Sequence, residues 1–212
     1  MTKNKESLLL INASPRLKGT SVMLLHRIQR VTGGELVHLY QGEITAVLEK
    51  MKSAEKIVIS GPCYVNSYPS RVVHLLEEAK QSEMGENQKL YGVINGGMPY
   101  VHTHKSGIDS LELFAEQCGF TWMGGFVLGG GAMLDGRALE KHLSSKKVVP
   151  AFDAFTQHIL EGEPSPDVLY TQAQTPPGIV MTHVFARLLS FLVTRKLKKQ
   201  GLHPSDKYPC VR

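Results

Sequence analysis

The 212-residue sequence predicts an α/β fold, a doubly wound sheet of five parallel strands covered by helices on both faces. Two observations carry the prediction. Five short apolar runs recur between residues 7 and 128, each followed by a segment with helical spacing. The loops after the first, third and fourth runs are rich in Gly, Pro, Ser and Asn, as turns at strand ends are.

Residues 7–12 read as a buried strand. Residues 20–31 place Val22, Leu25, Ile28 and Gln29 at helical spacing, with Thr20 or Ser21 as a capping candidate. The second strand is 35–40. Residues 43–53 carry Ile44, Val47, Leu48 and Met51, an i, i+3, i+4, i+7 stripe. A third strand with a wholly apolar core spans 56–60, and the helix over 69–81 presents Val72, Val73, Leu75, Leu76 and Ala79. The fourth strand is 90–95, followed by a helix over 107–118 with Ile108, Leu111, Phe114 and Ala115. The fifth strand, 122–128, is weakened by two glycines. Residues 138–160 are helical, with a break expected near Pro150. Residues 162–178 have no periodicity and several prolines, and read as a linker to a final helix over 179–200.

Hydrophobic content of 42% and charged content of 20% are those of a soluble globular chain. Nothing before the first strand resembles a signal peptide, and no run is long enough to span a membrane. The three cysteines, Cys63, Cys118 and Cys210, are scattered, which suggests neither a disulfide framework nor a metal cage and points to a reducing cytoplasm. The net charge is +5, yet residues 1–178 hold 17 basic and 18 acidic side chains. The excess sits on 179–200, which carries Arg187, Arg195, Lys196, Lys198 and Lys199 and no acid. The body therefore lacks the basic stripe of a nucleic-acid binder.

Ligands on such sheets bind beyond the carboxyl ends of the strands. The first loop there is Ser14-Pro15-Arg16-Leu17-Lys18-Gly19-Thr20-Ser21, a hydroxyl-, glycine- and cation-rich turn opening a helix. Such a turn gathers backbone N–H groups at the positive end of the helix dipole, and an anion is its natural guest. It is neither a P-loop nor a dinucleotide turn. The second loop, Gly61 to Pro69, packs two tyrosines and two prolines into nine residues, a stiff wall suited to a flat heterocycle. The third, Asn95-Gly96-Gly97-Met98-Pro99-Tyr100, has paired glycines that let backbone approach a ligand.

These three loops resemble those of the NAD(P)H-dependent FMN reductase family of flavodoxin-like proteins. The resemblance covers roughly residues 7–160 by element order. Ala13 stands for the family's glycine in the first loop, and Thr20-Ser21 for Asn-Thr. The second loop matches Pro-x-Tyr-x-x-Ser-x-Pro through Pro62, Tyr64, Ser67 and Pro69. The resemblance implies that Ser14, Arg16, Lys18, Gly19, Thr20 and Ser21 bind the FMN phosphate. Pro62, Cys63, Tyr64, Val65 and Asn66 would flank the isoalloxazine ring, and Asn95, Gly96, Gly97 and Met98 would reach its pyrimidine side.

The function so implied is an NADH or NADPH oxidoreductase, with the chemistry on the flavin and no catalytic side chain. It would pass electrons to a small-molecule acceptor: a flavin, a quinone, or a nitro or azo compound. The alternatives are a flavodoxin-like electron carrier and a non-catalytic FMN-binding module. Carriers tend to be strongly acidic around the flavin, and a body charge of −1 favours the reductase. A homodimer is expected because a second subunit would build a cleft over the flavin.

Other features read as structural. His102 and His104 form an HxH pair, but without further ligands they are expected to face solvent on a loop rather than bind metal. Cys63 reads as a packing residue, and Gly129-Gly130-Gly131 as a flexible turn. The chain thus divides into a flavodoxin-like FMN-binding domain (1–161), a linker (162–178) and a basic amphipathic helix with its tail (179–212). On that helix Met181, Val184, Phe185, Leu188, Leu189 and Leu192 share a face. The favoured expectation is packing on the domain or a second subunit, ahead of contact with a membrane surface.

Overall fold

The structure, a computed structural model, describes residues 7–82, 84, 88–174 and 178–202. The expected tail over 203–212, with Cys210, and the stretch 175–177 lie outside the described residues. The chain forms two units, Met1–Thr175 and Pro176–Arg212.

The first unit holds five parallel strands, β1 (Leu8–Asn12), β2 (Glu35–His38), β3 (Lys56–Pro62), β4 (Lys89–Asn95) and β5 (Thr121–Leu128), in the order β2-β1-β3-β4-β5. That is the flavodoxin-like order, whose switch point lies between β1 and β3. The helices are α1 (Thr20–Thr32), α2 (Ile44–Ser53), α3 (Ser70–Gln81), α4 (His102–Cys118), α5 (Ser145–Glu161) and α6 (Val168–Ala173). α1 packs with α5, while α2, α3 and α4 pack in series. Side chains alternate across the sheet with the strand period of two. Tyr91 meets Phe155 of α5 edge to face, whereas a Cβ on Gly92 would strike Ile108 and Leu111 of α4. Leu10, Ile11, Ile57, Val58, Ile59 and Val93 are fully buried between these layers.

Two expectations are corrected. Residues 162–174 are no linker but part of the first unit. Tyr170 of α6 is fully buried against Phe126 and joins a cluster with Phe152 and Phe155. The Gln174 amide donates to Val127 O at 2.6 Å and accepts from Gly129 N at 2.7 Å. Ser165 N donates to Met123 O at 2.7 Å, and Gly124 (φ +94°) leaves the room that this approach needs. The segment thereby satisfies exposed backbone groups along the edge strand β5. The second correction concerns 138–160. Two 3₁₀ turns, Gly131–Leu134 and Leu139–Lys141, precede α5, which begins at Ser145 and continues through Pro150. Arg27 fixes this region to α1. It holds Asp153 through Nε (2.8 Å) and Nη2 (3.0 Å), and Glu140 through Nη1 (2.7 Å).

The second unit contains α7 (Ile179–Lys199). The side chains of Met181 and Phe185, assigned to its apolar face, lie outside the described set. Among the described residues no helix is long and apolar enough to cross a membrane.

Candidate functional site

Four loops meet at the carboxyl ends of β1, β3, β4 and β5, which are neighbours in the sheet. The first is shaped by Asn12, fully buried at the end of β1. Its Oδ1 accepts from Ser14 N at 3.2 Å, and its Nδ2 donates to His38 Nδ1 at 3.0 Å. Ser14 Oγ then accepts from Arg16 N at 3.1 Å. These local side-chain bonds fold the loop into two successive turns. They also require His38 Nδ1 to be an acceptor. Burial, and then the charge of His26, lower the His38 pKa and keep the ring neutral.

Gly19 is the N-cap of α1 and offers no side-chain cap. The first-turn N–H groups of a helix have no intrahelical acceptor, so this end is open to an anion. The hydroxyls assigned to the phosphate also make bonds within the fold. Thr20 Oγ1 donates to Gly131 O at 2.8 Å. Ser21 Oγ accepts from Asn95 Nδ2 at 2.8 Å, and Ser60 Oγ donates to Ser21 O at 3.1 Å. Both residues are buried, as is Ser14. Arg16 pairs with Asp135 at 2.5 Å, both side chains being largely exposed. Gly136 (φ +81°) approaches Gly19 so closely that a Cβ there would lie 3.4 Å from the Gly19 Cα. The loop after β5 thus lies over the N-terminus of α1. A phosphate at these backbone donors would share this end with the Gly136 loop and would compete with the Asp135 carboxylate for Arg16.

In the second loop Tyr64 and Ser67 exchange backbone bonds, Tyr64 N to Ser67 O at 2.7 Å and Ser67 N to Tyr64 O at 3.2 Å. Val65 (φ +51°) and Asn66 (φ +62°) are the central residues, the dihedral pattern of a type I′ turn. A β-branched residue at positive φ is strained, and Val65 is 98% exposed, so no packing compensates it. Tyr68 sits beneath. Burial pushes its phenol well up, and it donates to Val93 O at 2.9 Å. Burial also raises the Cys63 thiol, against a smaller opposing effect of the Asn66 N–H, so it is held in the unreactive protonated form.

The third loop is zipped to the fourth. Gly130 N donates to Met98 O at 2.8 Å, Ala132 N to Gly96 O at 3.1 Å, and Gly96 N to Leu128 O at 3.1 Å. Asn95 is a buried strut: besides Ser21 it bonds Gly61 O at 3.1 Å, and its own carbonyl accepts from Cys63 N at 2.7 Å. α4 begins five residues earlier than the sequence suggested, so His102 and His104 are helical. His104 is buried, not solvent-facing. Its Nε2 lies 2.9 Å from Met98 O, and its ring covers the Cα of Gly96. Among the described residues no cluster could hold a metal ion.

The same end of the sheet displays large apolar side chains. Leu17, Tyr64 (49% exposed), Val65, Met98 (54%) and Met133 stand in solvent, one or two from each loop. Such a gathering around an anion-binding turn suits a flat ligand with a charged end. A hollow of about 320 Å³ lined by Leu8, Gly34 and Lys50 lies at the opposite end of β1, away from these loops. The sequence reading missed Asn12, His38 and Asp135. The Asp135-Gly136 dipeptide is a turn signal, but its place over α1 is a tertiary fact.

No family model matches the sequence, and no curated protein matches it. Solved structures match the fold. A structure described as an NADH:FMN oxidoreductase in its apo form is 13% identical, with a TM-score of 0.59 over 78% of this chain and 94% of that one. General stress protein 14 of Treponema denticola, in complex with FMN, is 13% identical with a TM-score of 0.53 over 72% and 99%. An NADPH-quinone reductase of P. pentosaceus is 14% identical with a TM-score of 0.51 over 81% and 99%. At these identities the likeness shows a shared fold.

Proposed function

We propose that the protein is an FMN-dependent oxidoreductase that takes electrons from NADH or NADPH. The observation that carries the reading is the uncapped N-terminus of α1 among four loops that present Leu17, Tyr64, Val65, Met98 and Met133 to solvent. The phosphate of FMN would be held by backbone N–H groups at Gly19–Val22 and by Arg16 once released from Asp135. The ring would lie against Tyr64, Val65 and the Gly96–Met98 backbone. Ser14, Thr20, Ser21 and Asn95 would act from beneath, shaping the loops through their internal bonds. When bound, FMN supplies hydride acceptance and one- or two-electron transfer. The protein's own part is to orient that group and to exclude water from its face. The described neighbours, one NADH-dependent and one a quinone reductase, support the class. The acceptor is a small molecule, and the enzyme works as a homodimer in the cytoplasm.

The test is titration of purified protein with FMN, followed by anaerobic mixing with NADH and with NADPH. Expected are a shift in the flavin spectrum on binding and its bleaching by one reductant. No flavin uptake refutes the cofactor. Uptake without bleaching by either reductant refutes the oxidoreductase.

A further inference from the structure

We infer that α7 is a docking element for an anionic lipid surface. Its described side chains are far from buried: Val184, Leu188, Leu189 (63%), Phe191 (62%), Leu192 and Val193 are about half or more exposed. At about 100° per residue these six span about 200°, just over half of the circumference, opposite a polar strip of His183, Arg187, Ser190 and Thr194. This is far more apolar surface than a soluble helix leaves in water.

Charge selects the partner. Residues 179–200 carry Arg187, Arg195, Lys196, Lys198 and Lys199 and no carboxylate. A second copy of α7 would bring cations without any acid to answer them, whereas paired helices usually match opposite charges along their seam. An anionic headgroup layer answers the four at the C-terminal end. The last four cations close the helix on the same side as Val184, Leu188 and Leu192. The apolar turns would therefore enter the acyl boundary while the basic turn stays among the headgroups, its lysine stems still in apolar contact. α7 is not apolar enough over its length to span a bilayer, so it rests on or dips into one leaflet. The inference stands apart from the flavin reading, because it uses none of the loop residues.

The test uses full-length protein and sedimentation with vesicles of phosphatidylglycerol and phosphatidylcholine, against vesicles of phosphatidylcholine alone. The protein should pellet with the mixed vesicles, stay in solution with the neutral ones, and be released by raised salt. Changing Lys196, Lys198 and Lys199 together to Gln should lower partitioning on the order of a hundredfold, at about fivefold per cation. Leu188→Gln with Leu192→Gln should abolish it. Urea unfolding of the first unit, unchanged in both variants, excludes loss of fold as the cause. Equal binding to neutral vesicles overturns the charge argument. Failure to bind either vesicle overturns the inference. A dimer in sedimentation equilibrium that the leucine changes turn into monomer would then assign the face to a second copy.

Discussion

Alanine at Gly96 puts the coupling between α4 and the third loop to a direct trial. A Cβ built there lies 2.2 Å from Cε1 of His104 and 2.5 Å from both ring nitrogens, far inside contact distance. The ring cannot yield freely, because it is buried on α4 and its Nε2 is bonded to Met98 O at 2.9 Å. Overpacking of this kind costs about 1–3 kcal/mol. If the ring turns away instead, the bond to Met98 is lost at about 0.5–1.5 kcal/mol. The expected destabilisation of Gly96→Ala is thus about 0.5–3 kcal/mol, according to which response is cheaper, read as a shift in the urea midpoint at constant slope. Pairing it with His104→Ala separates this clash from a general loss of fit. The double variant should be less destabilised than the sum of the singles by about 1–2 kcal/mol. Strict additivity, or a Gly96→Ala effect below about 0.5 kcal/mol, would refute the placement of His104 over the loop.

Four further outcomes follow from single contacts. Asp135→Asn removes the anion that holds Arg16, and FMN affinity measured by fluorescence quenching should rise by up to about fivefold, the exposed pair being worth no more than about 1 kcal/mol. Ser21→Ala leaves one N–H of the buried Asn95 amide without its acceptor, the other staying on Gly61 O, and should cost about 1–3 kcal/mol in thermal unfolding. Val65→Gly relieves a positive φ worth about 1–2 kcal/mol, less Gly's own entropy, so stability should rise slightly while flavin affinity falls with the lost apolar contact. His38 has its folded pKa below the ordinary 6.5. Its contribution to stability is complete above the unfolded value and is lost as pH falls through the lower folded one. A proton NMR titration should find its midpoint under 6.5, with Ser14 and Arg16 amide shifts moving together with it; a midpoint at or above 6.5 removes the acceptor role toward Asn12.

Much of the first unit was legible because the signals are local. β1, α1, α3 and β4 fall within a residue or so of their expected bounds, each carrying an unbroken apolar run or stripe. α4 was misplaced at its start because His102 to Ser106 present no apolar face, and His104 is buried by the approach of Gly96 rather than by its own periodicity. Residues 162–174 looked like a linker because proline and polar residues mask a single anchoring aromatic, Tyr170.

By itself, the sequence determined that strands and helices alternate, that an anion-friendly turn opens α1, and that positive charge gathers on the last helix. Only the tertiary structure decided what the polar side chains of that turn do. Ser21 meets Asn95 74 positions away, and Arg16 meets Asp135 119 positions away. Periodicity reports which face of an element is buried, since burial depends on spacing along one segment. It carries no information about which distant partner a buried hydroxyl or an exposed guanidinium finds, because that is set by the order in which strands are laid side by side.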